Sequence, residues 1–325
     1  MAFVDPVKQK RLKFRELLTR PQMTTMCGGF SPMLARVAQE AGFEAFFVAG
    51  SQMSGFLFGV PDTGVIGLRD IVDHARHIAA RTDIPILLDA DTGFGNAANV
   101  WYSVQEIVRS GVAALQIEDQ EAPKKSGTGG GRRCISIDEA VGKYRCAVAA
   151  RNEVDPDFVI CARTDSIGSE GGGFEDALAR CKAYMTDGGV DFVWLNAIED
   201  VDQIARAAKE IPGPLLVTGG AKGSKSLEQY ESLGLKIFMH PTIAAHGALQ
   251  GAWQALNAFK KDGLQGLGTW GAEVKARPEG MIDFRDLNGN ALVKELEAKF
   301  MPSENQRDYA NTYGIREIEA GKKPH

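Results

Sequence analysis

Acidic residues crowd two short segments of this chain. The run Leu87-Leu88-Asp89-Ala90-Asp91-Thr92-Gly93-Phe94-Gly95-Asn96 is followed, one strand-and-helix length later, by Ile117-Glu118-Asp119-Gln120. Three or four carboxylates brought together without a counter-ion would repel and raise one another's pKa, a cost that a hard divalent cation removes. Mg²⁺ is the expected ion, with Mn²⁺ as the alternative, because it takes oxygen donors, keeps several waters and is completed by an anionic substrate. A turn cap at Asp91 and a lysine partner for Asp119 would account for single carboxylates. They would not account for a set spread over neighbouring strand ends.

Such groups meet only if the chain between them returns each one to the same place. Apolar runs read as strands occur at Met23–Cys27, Ala45–Ala49, Ile86–Asp89, Ala114–Glu118, Phe158–Thr164, Phe192–Leu195, Leu215–Thr218 and Ile237–Met239. Helical patterns separate them at Ser31–Ala41, Leu68–Thr82, Val100–Ser110, Ile137–Asn152, Phe174–Asp187, Val201–Ile211 and Ser226–Leu233, and Ile243–Lys261 follows the eighth strand. The strands lack polar alternation, as a parallel sheet covered on both faces requires. Gly42, Gly111, Gly188 and Gly234 stand where helices should end.

Eight such units predict an α/β fold, a (β/α)8 TIM barrel, over residues 1–262, with an N-terminal arm carrying a short helical pattern near Phe14–Leu18. Residues 263–325, with a helical stretch near Ala291–Phe300, read as a C-terminal extension packing on the barrel or on a neighbouring subunit. No GxGxxG follows the first strand to support a dinucleotide-binding sheet. Barrel enzymes place their chemistry at strand C-termini. One rim should therefore carry Gly28-Gly29, Gly50-Ser51, Asp62, Asp89, Asp91, Glu118-Asp119, Arg163, Asp165, Asn196, Thr218 and His240.

The 325 residues include 37 Lys plus Arg against 42 Asp plus Glu, a net charge of −5 that argues against a dedicated nucleic-acid binder. No apolar run approaches the roughly 18 residues of a membrane span, and the N-terminus lacks a secretory apolar region. Cys27, Cys134, Cys146, Cys161 and Cys181 have no CxxC spacing and read as reduced thiols. A cytoplasmic protein acting on a small molecule is expected.

Val60-Pro61-Asp62, Asp89-Ala90-Asp91-Thr92-Gly93-Phe94-Gly95, Glu118-Asp119-Gln120 and Cys161-Ala162-Arg163-Thr164-Asp165 occur in a consistent order. Together they resemble the isocitrate lyase and phosphoenolpyruvate mutase superfamily, in particular its methylisocitrate lyase-like members. The likeness runs from Phe14 to about residue 260. It implies a Mg²⁺-dependent barrel acting on 2-oxo or 2-hydroxy carboxylates with a second acidic group. It also implies homodimers or homotetramers that exchange the last barrel helix. By resemblance, Asp89 is the direct metal ligand, and Asp62, Asp91 and Glu118 complete the site directly or through water. Gly50 and Ser51 match the loop holding the substrate carboxylate, Phe47 an aromatic wall, and Arg163 the substrate-binding arginine, whose planar fork suits a carboxylate.

The departures lie in the loop after the fourth strand. Where the lyases read Lys-Lys/Arg-Cys-Gly-His, this chain has Lys124-Lys125-Ser126-Gly127-Thr128, so Ser126 replaces the thiol and Thr128 the imidazole. A serine hydroxyl is a far weaker acid than a thiol. Asn196 replaces a glutamate and Thr218 an asparagine, whereas phosphonomutases carry Asn at position 126 and His at position 196. The glycine-rich stretch 127–131 between basic residues reads as a closing lid, with Lys124 and Arg132 or Arg133 neutralising an anionic substrate. The segment 218–226 offers an anion contact but misses the nucleotide-loop pattern.

The expected activity is carbon–carbon bond cleavage through an enolate-type intermediate, with Lys124, Ser126 and Arg163 catalytic. Phe47, Gly50, Ser51, Asn196 and Thr218 would bind substrate together with Arg163. Three alternatives stay open: an oxaloacetate-type decarboxylase or hydrolase; a phosphonomutase like carboxyvinyl-carboxyphosphonate phosphorylmutase; and a non-catalytic carboxylate-binding barrel.

Overall fold

Every residue of most strands is buried, because side chains on both faces of the sheet are covered. The computed structural model describes residues 5–198, 200–219, 226–309 and 311–312. Strands β1 (Thr24–Gly29), β2 (Phe46–Val48), β3 (Ile86–Asp89), β4 (Ala114–Glu118), β5 (Val159–Thr164), β6 (Phe192–Leu195), β7 (Leu215–Thr218) and β8 (Ile237–His240) form a closed parallel barrel. Each pairs with its sequence neighbour, and β8 closes on β1 through Cys27 opposite His240. β1 runs past its expected end at Cys27, because Gly28 and Gly29 still pair with Phe47 and Val48.

The helices are α1 (Pro6–Thr19), α2 (Pro32–Glu40), a short α3 (Gly50–Met53), α4 (Leu68–Ala79), α5 (Ala97–Arg109) and α6 (Ile137–Val154). They continue with α7 (Phe174–Thr186), α8 (Val201–Glu210), α9 (Leu227–Ser232) and α10 (Ile243–Lys275). Side-chain caps start several of them: Ser31 accepts from Leu34 N, Asn96 from Ala98 N and Ser136 from Glu139 N. Gly42, Gly111 and Gly234 take the left-handed conformation at helix ends. After α7 that role falls to Gly189 (φ 69) and not to Gly188. α10 runs beyond the expected stop at Lys261, since no proline interrupts the chain before Pro278 and only Gly263 departs from helical geometry.

Residues Met1–Leu267 form one compact unit and Gly268–His325 a second. The second contains α11 (Phe284–Leu287) and α12 (Asn290–Phe300). Within it Tyr309 Oη donates to Glu297 Oε2 at 2.6 Å. No helix of the described residues is long and apolar enough to cross a membrane.

Two apolar cores result from the period-two alternation of the strands. Leu88, Ile117, Ile160 and Val193 face the helices, while Leu87, Val159, Cys161, Phe192, Trp194, Leu216 and Met239 fill the barrel. Phe14, Leu17 and Leu18 of α1 belong to the interior cluster, and the Phe14 ring lies 5.9 Å from that of Phe192. The N-terminal helix is thus a plug. Phe14 is wholly buried, so Phe14→Ala should cost about 3–5 kcal/mol of unfolding free energy. Urea denaturation checks this, with the midpoint falling at unchanged slope.

Candidate active site

The alternation that fills the barrel also aims its upper groups. Asp89 follows Leu87 by two, Gln116 and Glu118 follow Ala114, Arg163 follows Cys161, Asn196 follows Trp194 and Thr218 follows Leu216. All six positions share the interior parity. His240 falls on the other parity and is exposed, which removes it from the interior side of the rim.

Asp89 is fixed by three donors. Its Oδ2 accepts from Gly50 N at 3.0 Å, and its Oδ1 accepts from Asp91 N at 3.1 Å and from the Gln116 amide. Asp91 sits at φ 48, an uncommon conformation for a residue with a side chain, in a loop where Gly93 and Phe94 also have positive φ. The buried Lys143 ammonium holds that loop by donating to the Thr92 carbonyl.

Lys124 is buried among the carboxylates. Its Nζ lies 2.8 Å from Asp62 Oδ1, in contact with Asp91 Oδ1, and 3.9 Å from Glu118 Oε1. Burial opposes its charge, but Glu118, Asp89, Asp91 and Asp62 outweigh this and hold its pKa above the usual lysine value. Burial, with the neighbouring Asp89 charge, pushes Asp91 up to about 6. Burial likewise raises Glu118 well above the ordinary range. Glu118 Oε2 has no hydrogen-bond partner, although Arg163 Nη1 stands 3.2 Å away. Even with Lys124 present, the cluster is short of positive charge. Its donors are all carboxylate oxygens, the set a hard cation takes. Among the described residues no three acidic, His or Cys side chains are already arranged around one ion position. Mg²⁺ sites commonly use one or two carboxylates and fill the rest with water.

Asp119, expected near this cluster, points elsewhere. Its Oδ1 accepts from Asp165 N at 2.9 Å and its Oδ2 from Tyr184 Oη at 2.7 Å, with Arg180 Nη1 at 3.3 Å. It is a buried anchor for the loop after β5. The Cys134 thiol is spent on the same group, 3.3 Å from Asp119 Oδ1, and burial with that charge pushes its pKa above the usual thiol value.

Arg163 is gripped on several sides. Its Nε and Nη2 donate to Asp165 Oδ1 at 3.1 and 2.9 Å, and the guanidinium carbon lies 4.4 Å from the Trp194 ring centroid. Phe47 meets Trp194 edge-on at 5.5 Å, so the expected aromatic wall supports the floor beneath Arg163. Sequence reasoning misses Trp194 and Gln116, and it quotes Gln120 only as part of a motif, with no role. A signal existed for Gln116, a buried amide inside an apolar strand. Gln120 Nε2 lies 3.1 Å from Glu118 Oε1, 2.6 Å from Asp165 Oδ2 and 3.0 Å from Lys125 O, its two hydrogens shared among the three acceptors, and so ties both acids to the backbone at Lys125.

The segment expected to be a lid packs down against Arg163. Gly127 abuts Arg163 so tightly that a Cβ there would lie 2.0 Å from Arg163 Nη2. Ser126 Oγ and Thr128 Oγ1 are 3.4 Å apart. Arg132 is buried, whereas Arg133 is exposed and bound to Glu170 at 2.7 Å, so only Arg132 reaches the interior. Beside the lid is a cavity of about 520 Å³ lined by Thr128, Arg132, Asn196, Gln203 and Thr218, among others. That volume suits a small molecule. Gly50 and Ser51 open α3, with Gly50 N on Asp89. Residues 220–225 of the glycine-rich segment after β7 lie outside the described residues.

The family model for phosphoenolpyruvate phosphomutase matches residues 14–260. The 2,3-dimethylmalate lyase of Eubacterium barkeri is 35% identical over 291 residues, which cover 89% of this chain and 97% of that protein. The structure of oxaloacetate acetylhydrolase in complex with the inhibitor 3,3-difluorooxalacetate is similar at a TM-score of 0.79. It has 28% identity and covers 90% of this chain and 97% of the other. A phosphonopyruvate hydrolase complex with oxalate and Mg²⁺ is similar at a TM-score of 0.76 and 26% identity, over 90% of this chain and 99% of the other.

Gly127→Ala places a methyl group against a pinned guanidinium, so the lid must yield and not Arg163. Turnover of whichever carboxylate is accepted should fall on the order of 100-fold, with the melting temperature nearly unchanged. Steady-state kinetics beside a thermal melt reads both.

Proposed function

The chain belongs to the phosphoenolpyruvate phosphomutase family, within the isocitrate lyase superfamily. On that premise we propose that it is a Mg²⁺-dependent carbon–carbon lyase acting on a small 2-hydroxy or 2-oxo di- or tricarboxylate. The observation that carries this reading is the pairing of a buried, charge-deficient carboxylate set with a buried arginine under one lid. Asp89 would hold the ion directly, and Asp62, Asp91 and Glu118 would complete its surroundings directly or through water. When bound, the ion supplies Lewis-acid stabilisation of negative charge developing on the C2 oxygen.

The chain's own residues do the remaining work. Arg163 binds the substrate carboxylate, and Asp165 and Trp194 fix its plane. Gly50 and Ser51 contribute at the opposite side of the substrate, and Asn196 and Thr218 bound the space for its remaining group. Lys124, carried in by the lid, adds positive charge where anions gather, and the closed lid excludes water. Ser126 is the hydroxyl brought to the position that the lyases give to a thiol.

A second reading, hydrolysis or decarboxylation of a 2-oxo diacid, draws support from the fate of Cys134. With its thiol facing Asp119, a hydroxyl or water is left to handle the proton. Incubation with Mg²⁺ and 2,3-dimethylmalate, methylisocitrate, oxaloacetate or phosphonopyruvate separates the readings by product. The lyase reading expects a 2-oxo acid from one of the hydroxy acids. EDTA, and separately Asp89→Asn, should then lower the rate by roughly 1,000-fold. Release of oxalate or of free phosphate would replace that reading with hydrolysis. Ion-dependent binding without any product would replace it with a binding role.

The working form is a homo-oligomer. α10 buries only Ala245 among its described residues and exposes Leu249, Trp253, Leu256 and Phe259, an apolar stripe at helical spacing. A second copy of the barrel is the surface that would cover it, by exchange of this last helix. Light scattering should give a multiple of 35.1 kDa, and Trp253→Asp with Leu256→Asp should return it to that mass.

A further inference from the structure

One backbone oxygen in the lid is doubly held. The Gly127 carbonyl accepts from Arg132 Nη1 at 2.5 Å and from Asn196 Nδ2 at 3.0 Å. Both of its lone pairs are therefore used. Arg132 Nη2 donates to the Ile167 carbonyl at 2.8 Å, so one planar guanidinium spans the lid and the loop after β5. Glu170 N closes the same junction by donating to the Arg132 carbonyl at 2.9 Å. Arg132 is buried although it sits in a loop, and its Nη1 is 3.8 Å from Asp165 Oδ1.

Asn196 connects this junction to the site. Its Nδ2 also donates to Asp165 Oδ1, the oxygen that receives Arg163 Nε and Nη2. Lid position and Arg163 orientation thus share one amide.

We infer that Arg132 and Asn196 form a latch that holds the lid shut through the Gly127 carbonyl, and that both are positioning residues for the reaction proposed above. The inference rests on that reading for its purpose, but its geometry is independent of the substrate. It also accounts for the side chain at position 196. A glutamate there would set a carboxylate against two acceptors, the Gly127 carbonyl and Asp165, whereas an amide donates to both. Lysine at 132 would be a poor substitute, because a point charge does not present the two parallel donors of a guanidinium.

Hydrogen exchange read by mass spectrometry on the full chain tests the latch without turnover. Arg132→Gln should speed exchange across residues 121–135 and 167–170 by about tenfold or more, the consequence of losing charge-assisted bonds. Arg133→Gln, which removes an exposed pair, should stay within about twofold of the unaltered chain. Arg132→Lys should fall between them. Asn196→Asp should open the lid as Arg132→Gln does, and the double variant should be less than additive because both donors serve one carbonyl.

Calorimetry with oxalate in the presence of Mg²⁺ adds the functional arm. Arg132→Gln should weaken oxalate while leaving the affinity for Mg²⁺ alone unchanged, an uncoupling that general destabilisation would not give. Equal exchange in Arg132→Gln and Arg133→Gln, or lid exchange unaltered in Arg132→Gln, would overturn the latch. Failure of oxalate to bind the unaltered chain would count against the proposed function, while the exchange rates would still decide the latch. Should Arg132→Gln fail to fold, Arg132→Lys and Asn196→Asp carry the same comparison.

Discussion

Five carboxylates, of Asp62, Asp89, Asp91, Glu118 and Asp165, are packed into one mouth of the barrel around Lys124 and Arg163. Ionised groups withdrawn from water are costly unless paired and hydrogen-bonded. Nearly every other feature of the site serves that requirement. Gln116 and the backbone amides of Gly50 and Asp91 donate hydrogen bonds to the Asp89 carboxylate, and Gln120 bridges Glu118 to Asp165. What stays unbalanced is informative. Glu118 Oε2 remains without a hydrogen-bond partner, and Asp91 and Glu118 stay shifted toward their protonated forms. That imbalance is the support for the cation site proposed above.

The barrel makes this arrangement rigid. Each strand that fills the interior with an apolar side chain presents the polar group two residues later at the mouth, so packing and chemistry share one register. A slip by one residue in β5 would turn Arg163 outward along with Val159 and Cys161. The stack from Phe47 through Trp194 to Arg163 shows the coupling directly, since aromatic packing within the barrel forms the bed for the guanidinium.

The lid works on the same charges from above. Lys124 enters the carboxylate cluster, Gly127 lies on Arg163, and Arg132 reaches the loop after β5, so one short segment touches each part of the site. Its glycine content is required at that contact: no side chain fits between position 127 and Arg163. Loss of the thiol at position 126 leaves this closing geometry in place. On the reading proposed above, Ser126 would stand where the lyases carry the acidic thiol, and its hydroxyl would be the weaker proton donor.

Local patterns were enough for the eight strands, the helices between them and the family motifs, because burial on both faces of a parallel sheet erases polar alternation and glycines punctuate the helix ends. Element edges were less legible. α10 continued through a segment with no breaker, and Gly189 replaced Gly188 in the left-handed position, since backbone geometry there depends on how the turn meets α7. Asp89, Asp91, Glu118 and Arg163 could be picked out by type and spacing, and Asp119 was picked out with them. Only the tertiary structure separated Asp119, which binds Tyr184 and Arg180, from Glu118, which faces Lys124 and Arg163. Likewise it distinguished Arg132 from Arg133, and it drew in Trp194, Gln116 and Gln120. The chain by itself determines which strand end carries each group and, through the period of two, which face that group takes. It does not determine the partner a side chain finds, because that depends on long-range approach of segments brought together only when the barrel closes.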